Sequence, residues 1–548
     1  MTRLSSLLAC AWLLACTAAK QEAVDAAKRD AATDDTGGAG ATASGGATGS
    51  GGGGGAAGTV SGSGGGSDAT GGAGGTRAGS TGGATSAAGG AGGASTRSGG
   101  AGGARTATGG TGGAGTGTGG TVGAGGTGVS TGGAGGTRVS TGGGGTTLQN
   151  TGGSPDAAAD GPASSSAIEQ LRAYLAVPRA QRQPIDGESF AKTPLGRDEA
   201  AQAADLLWQD FAANVKATRK AEHDARSIKL EGKTMRYAMK TFGSKPSAGR
   251  SLFLSLHGGG NAAASVNDEQ WANQQTLYQP AEGIYLCPRA PTDTWNLWHE
   301  AHIDPMFERL ITNLIVLEEV NPDRVYVMGY SAGGDGVYQL GPRMADCWAA
   351  AAAMAGHPND AQPYSLRDIG FAIHVGALDT AYDRNLVAQE WSDQLDQLAA
   401  EDPGGYPHVV EIHAGKPHWM DLEDAVAVPW MAKFTRDPNP STVVWYQDDE
   451  PRSRFYWLAV DVAKAKDYTK VRATVSGQNI ALESSDLAAI KVRLSDDMLD
   501  LDQPVVVTAN GAERWNAKAS RTIALLAKTL EERGDPRMVW SAEVDVAF

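Results

Sequence analysis

The stretch from Arg324 to Gly336 constrains the chain most; it reads Arg-Val-Tyr-Val-Met-Gly-Tyr-Ser-Ala-Gly-Gly-Asp-Gly. Val325 to Met328 is a short apolar run of the kind that becomes a buried parallel strand. Gly329-Tyr330-Ser331-Ala332-Gly333 follows without a spacer as G-x-S-x-G. A strand that turns at once into a helix holds its serine in a strained joint, so the residues two before and two after must lack side chains that would strike backbone. Gly329 and Gly333 meet that need.

The surroundings of this joint predict an α/β fold. Strands are expected at Met235 to Phe242, Leu252 to Leu256, Gly283 to Cys287, Trp348 to Met354, Phe371 to Val375 and His408 to His413. Helices are expected at about Pro305 to Val320, Ala332 to Met344, Leu386 to Ala399 and Asp421 to Phe434. Strands alternating with helices at this spacing mean a parallel sheet covered on both faces, with function at the carboxyl ends of the strands. Upstream, Ala167 to Leu175 and Arg197 to Glu222 carry apolar stripes at helical spacing and are expected to pack on the following domain.

A second glycine cluster, His257-Gly258-Gly259-Gly260, stands directly after the Leu252 to Leu256 strand. Adjacent glycines let backbone N–H groups approach a developing oxyanion closely. Together with the G-x-S-x-G joint downstream, this loop resembles the HGGG loop of the α/β-hydrolase superfamily. The resemblance covers about residues 229 to 436. It implies an α/β-hydrolase fold in which Gly259, Gly260 and the N–H of Ala332 form the oxyanion hole, Ser331 is the nucleophile, and His257 anchors the loop. The superfamily's acid follows the second strand after the serine, and Gly376-Ala377-Leu378-Asp379 ends that strand here, so Asp379 is the implied acid, with Asp383 as the fallback. The third strand leads through Ala414-Gly415-Lys416-Pro417 to His418, the implied base. The order Ser331, Asp379, His418 is that of α/β-hydrolases, not of chymotrypsin or subtilisin.

The other histidines carry weaker claims. His357, in Gly356-His357-Pro358, is the second choice of base; His223, His374, His408 and His413 suit core or surface roles. His299-Glu300-Ala301-His302 misses the zinc-helix spacing, which requires the second histidine at position 303, now Ile303. No cofactor and no metal are expected. Trp295, Trp298 and Trp419 are placed near the strand ends, where they serve either as walls of an acyl or sugar-ester pocket or as simple packing. Cys287 and Cys347 are not expected to form a disulfide, since one tops its strand and the other ends the helix after Ser331.

Composition sets the outer organisation. Of 77 glycines, 53 fall between Gly37 and Gly153. Over 36 to 154 the large apolar residues are few (Val60, Val122, Val129, Val139, Leu148) and proline is absent, so no core, collagen helix or polyproline rod can form. A coil of that length has an end-to-end distance of roughly 60 Å, suited to a tether. Before it, Arg3 and the apolar Leu4 to Ala15 read as an export signal too short to span a bilayer. Leu13-Leu14-Ala15-Cys16 resembles the lipobox of bacterial lipoproteins, which implies lipidation at Cys16, membrane attachment through that lipid alone, and an extracytoplasmic location at the outer membrane or cell surface; the alternative is a plain secreted protein cut near Ala18 or Ala19. The formal charge of −15, with no Lys/Arg-rich stretch, argues against nucleic acid as a partner.

From about Ser441 the chain turns β-rich, with strands expected at Val443 to Tyr446, Arg454 to Val460, Lys470 to Val475, Ile490 to Leu494 and Val505 to Thr508, and one helix at about Ala519 to Arg533. A small β-sandwich-like domain results, whose aromatics (Trp445, Tyr446, Phe455, Tyr456, Trp457, Trp515, Trp540) serve either as core or as a carbohydrate platform. The expected divisions are a signal peptide (1–15), a disordered linker (16–155), a helical segment packed on the hydrolase (156–228), the α/β-hydrolase domain (229–440) and the C-terminal domain (441–548). The expected activity is hydrolysis of a small-molecule or polymer ester, of the dienelactone hydrolase, polyester depolymerase or feruloyl esterase type that the motifs resemble. The rivals are a serine exopeptidase of the prolyl oligopeptidase type and a non-catalytic glycan-binding or adhesion lipoprotein.

Overall fold

A computed structural model of the chain describes residues 166–548. The expected signal peptide, the linker, Cys16 and the start of the 156–228 segment lie outside the described residues.

Two helices lead. In α1 (Ala167–Ala176) the Ser166 hydroxyl accepts from Glu169 N while the Glu169 carboxylate accepts from Ser166 N, which satisfies two donors of the first turn. The helix stops before Pro178, whose ring cannot continue it. In α2 (Arg197–Asp224) the residues Ala200, Ala203, Leu207, Phe211 and Val215 recur every three or four positions and bury one stripe.

The sheet follows: β1 (Ser227–Leu230), β2 (Lys233–Phe242), β3 (Arg250–Leu256), α3 (Ala264–Leu277), β4 (Gly283–Pro288), α4 (Ile303–Leu317), β5 (Val320–Tyr330), α5 (Ala332–Arg343), β6 (Ala350–Met354), β7 (Gly370–Gly376), α6 (Arg384–Glu401), β8 (His408–His413) and the short α7 (Ala427–Met431). Its eight strands lie in the order β1-β2-β4-β3-β5-β6-β7-β8. From β4 to β8 every neighbouring pair is parallel, whereas β1–β2 and β2–β4 are antiparallel. The sheet, expected to be mostly parallel, carries its antiparallel margin at β1 and β2. Strand residues alternate between two apolar clusters, Leu252, Leu254, Val325 and Val327 facing α4, α5 and α6, and Phe253, Tyr326, Met328 and Ala352 facing α7. A mostly parallel sheet with helices on both faces fits an α/β-hydrolase fold.

Two helices differ in their bounds from expectation. The α4 helix ends at Leu317, and Val320 opens β5 because Glu319 takes φ 57° and breaks the helical run. The helix expected at 421–434 shrinks to α7, since Asp421 and Leu422 sit at φ 55° and 64°. The α3 helix was not anticipated at all.

The C-terminal segment forms β9 (Thr442–Tyr446), β10 (Arg454–Phe455), β11 (Leu458–Ala459), β12 (Lys470–Ser476), β13 (Asn479–Glu483), β14 (Ala489–Leu494), β15 (Val505–Ala509), β16 (Ala512–Ala517), α8 (Ile523–Arg533) and β17 (Ala542–Ala547). They make a four-stranded sheet, β10-β11-β14-β17, and a five-stranded sheet, β16-β15-β13-β12-β9. The single strand expected over 454–460 is a tight hairpin that turns at Tyr456, φ 47°. Of the seven candidate platform aromatics, Trp445, Phe455, Tyr456, Trp457 and Trp540 are buried, leaving Tyr446 and Trp515 part-exposed.

No apolar seam separates this segment from the eight-stranded sheet: Val443, Trp457, Ile480, Val492 and Val544 belong to the same cluster as Leu252, Phe307 and Trp348. Buried charge pairs cross the same boundary. Arg436 bridges Asp323 and Asp535, and Arg533 pairs with Asp346, which is fully buried. Asp323 and Asp346 lie at or just before the N-terminal ends of β5 and β6, so the carboxyl ends of the strands stay clear for a site.

Candidate active site

Ser331 occupies the joint between β5 and α5 with φ 58° and ψ −123°, a left-handed conformation that an L-residue adopts only under constraint. Its N–H donates to Met354 O at 2.9 Å, and Asp335 N donates to its carbonyl at 2.9 Å. The joint closes only because its neighbours are glycines. A Cβ on Gly329 would strike the Gly333 carbonyl, and one on Gly333 would strike the Leu256 carbonyl.

The expected partners converge on this serine. His418 Nε2 lies 3.0 Å from Ser331 Oγ, and His418 Nδ1 lies 2.6 Å from Asp379 Oδ2. Asp379 is fully buried in the turn after β7, where its N–H donates to Gly376 O. Arg384 Nη1 stands 3.9 Å from the second oxygen, Oδ1. The fallback acid, Asp383, is exposed, and no contact links it to His418. His357 is engaged elsewhere: its Nδ1 accepts from Asn359 N at 2.9 Å and its N–H donates to Asp335 Oδ1 at 2.6 Å.

His418 is held from behind by the residue next to the serine. Tyr330 OH donates to His418 O at 2.6 Å and accepts from Met420 N at 3.1 Å. The turns that carry Asp379 and His418 also touch, through Leu378 N to Lys416 O at 2.9 Å.

The glycine loop is shaped by a residue that sequence reasoning missed. Asn267, fully buried in α3, accepts from Gly260 N through Oδ1 at 2.8 Å and donates through Nδ2 to Ala262 O at 3.2 Å. The structure thereby revises the expected donor set, because the Gly260 N–H is already spent on Asn267. Gly259 N and Ala332 N donate to no acceptor among the described residues. Gly259 and Gly260 take φ 108° and 81°, and a Cβ on Gly258 would lie 3.1 Å from Ser331 Cβ, so the loop lies directly against the serine. Polar α3 has no apolar stripe, and its one signal was an Asn three residues into a helix beside a glycine loop.

His257 anchors this loop from the core. Its Nδ1 donates to Gly258 O at 2.6 Å and its Nε2 accepts from Ala290 N at 3.1 Å, which fixes a neutral tautomer. Burial lowers its pKa to about 4. Trp298 is also core, donating to His257 O at 3.0 Å, so of its two expected roles it takes the packing one. Trp295 is 61% exposed beside the glycine loop, and Trp419 packs on Tyr330.

Chemically, a hydroxyl on a strained backbone, an imidazole in reach of it, a buried carboxyl group behind the imidazole and two uncommitted N–H groups make a set able to activate an oxygen nucleophile and hold an oxyanion. No family model matches the chain, and no curated protein does. Solved structures similar to it include a thermostable esterase (17% identity, TM-score 0.32, 38% of this chain and 62% of that one). A feruloyl esterase module from Clostridium thermocellum complexed with sinapinate is similar at 15% identity and TM-score 0.27, over 37% of this chain and 83% of that one. Dipeptidyl peptidase 4 of Porphyromonas gingivalis is similar at 13% identity and TM-score 0.28, over 38% of this chain and 35% of that one.

Proposed function

We propose that the chain is a serine hydrolase that cleaves carboxylic esters through an acyl-enzyme on Ser331. The observation that supports this reading is the continuous relay Asp379 Oδ2 to His418 Nδ1 to His418 Nε2 to Ser331 Oγ, at 2.6 and 3.0 Å. His418 Nε2 takes the hydroxyl proton as Oγ attacks the ester carbonyl carbon. The N–H groups of Gly259 and Ala332 hold the oxyanion of the tetrahedral intermediate. The imidazolium then gives its proton to the leaving alkoxide as the C–O bond breaks, and a water activated by the same nitrogen hydrolyses the acyl-enzyme. Asp379 keeps the proton on Nδ1 and favours the imidazolium by charge. In the same reading Cys16 carries a lipid, and the glycine-rich segment tethers the hydrolase to the membrane.

The test compares the wild-type chain with Ser331→Ala under a fluorophosphonate probe and on p-nitrophenyl esters and aminoacyl-anilides. Labelling and ester turnover that vanish together in Ser331→Ala are expected. Labelling that survives the substitution removes Ser331 from the role, and anilide cleavage without ester cleavage replaces the esterase by an exopeptidase.

A further inference from the structure

His374 and His413, expected in separate core or surface roles, face each other across the last two strands. In the parallel pairing of β7 and β8, His374 is in register with Glu411, and His413 lies two residues further on the same face. His374 Nδ1 stands 3.1 Å from His413 Nε2 and 3.8 Å from Glu411 Oε2. A tetrahedral zinc ion with bonds of about 2.1 Å separates its ligand atoms by about 3.4 Å, a value these two distances bracket.

We infer that His374, His413 and Glu411 form a zinc site that pins strand β8 and the base-bearing turn to strand β7. The donor set, two imidazoles and a carboxylate within 4.8 Å of one another, suits Zn2+ rather than Mg2+ or Ca2+, which prefer oxygen ligands. A second shell is in place. The far nitrogen of His413, Nδ1, lies 3.3 Å from Glu423 Oε2, a carboxylate that fixes the proton on Nδ1 and leaves Nε2 as the ligand atom. Glu423 is itself held by Lys416 Nζ at 2.8 Å, and Lys416 belongs to the turn that ends at His418. The Glu411 and Glu423 side chains are 47% and 48% exposed, so the ion has an entry path and a water completes its shell. The site is independent of the chemistry at Ser331. It borders the turn that carries Asp379, because Ala377 N donates to His413 O.

The experiment uses the purified full-length chain, stripped with EDTA and dialysed against Zn2+ or Co2+. One equivalent of zinc is expected, with a tetrahedral Co2+ d–d spectrum and a rise in Tm of roughly 5 °C at saturating zinc. His413→Ala should abolish uptake and Glu423→Gln should weaken it about 10- to 100-fold. His408→Ala, on the same strand but paired with Asp396, should leave it unchanged. Glu411→Gln, at an exposed position, decides the matter if His413→Ala does not fold. Substoichiometric uptake, or full uptake that Glu411→Gln and His413→Ala leave intact, overturns the assignment and leaves a hydrogen-bonded histidine pair.

Discussion

The hydroxyl of Tyr330 spans the gap between the serine joint and the base, donating to His418 O at 2.6 Å while accepting from Met420 N at 3.1 Å. Tyr330 ends β5, so the strand that aims Ser331 also sets the height of the His418 backbone. Removing the hydroxyl in Tyr330→Phe leaves the ring packed on Trp419 and frees the base turn. Misplacement of a catalytic group by even an ångström is costly. We expect kcat on an ester to fall about 10-fold with KM nearly unchanged; an unaltered kcat would remove Tyr330 from positioning.

The clamp on the glycine loop makes a parallel case. Asn267→Ala removes the acceptor for Gly260 N and the donor to Ala262 O, so the loop loses the geometry that presents Gly259 N. A loss of one oxyanion donor costs about 10²- to 10³-fold in kcat, and Asn267→Ala should approach the lower figure without changing the reactivity of Ser331 toward a small phosphonate by as much. Equal losses in both assays would instead mark a general collapse of the site.

Burial pushes the Asp335 carboxyl up to about 6, one turn into α5. Because its folded pKa lies above the unfolded value, the folded protein holds the proton more tightly, and stability falls as pH rises through the window from 3.8 to about 6. Asp335→Asn keeps an acceptor for His357 N and removes the buried charge. The variant should be more stable than the parent above pH 6, by at most about 3 kcal/mol, and equal to it near pH 4. Denaturant titrations of both proteins at pH 4, 5, 6 and 8 give the difference directly; a gap that does not change with pH contradicts the buried-charge account.

Asp346 has no exposure, and its carboxylate is paired with Arg533 and accepts from Tyr456 N. Arg533→Ala strands that charge between the eight-stranded sheet and the C-terminal segment, at a cost of about 3 to 5 kcal/mol. Thermal unfolding should show a drop of roughly 5 to 10 °C in one transition. Two separate transitions in the parent would mean that the segment after 441 unfolds by itself, against the shared core.

What was legible in the sequence was what sterics or apolar periodicity dictates. Gly329 and Gly333 announce the joint because nothing larger fits there, and an apolar run leading into it can only be a buried strand. That Asp379 and His418 come together beside Ser331 was readable from their positions at strand ends. Helix α3 was not: its inward residues include Asn267 and Gln274, which are buried by hydrogen bonds and not by hydrophobicity, so no stripe marks it. Strand β16 hid for a related reason, since as a sheet edge it buries little beyond part of Trp515. The commitment of Gly260 N to Asn267 is a contact between different elements, and composition carries no trace of it.

The apolar stripe of α2 packs on α8, joining residues that stand roughly three hundred positions apart in the chain. A ribosome delivers Leu207, Phe211 and Val215 well before Ile523, Leu526 and Leu530. Until the final turn of α8 exists, the stripe keeps part of its surface without its native cover. Closure of this part of the core therefore waits for the synthesis of α8, and a truncation that removes α8 leaves the α2 stripe adhesive.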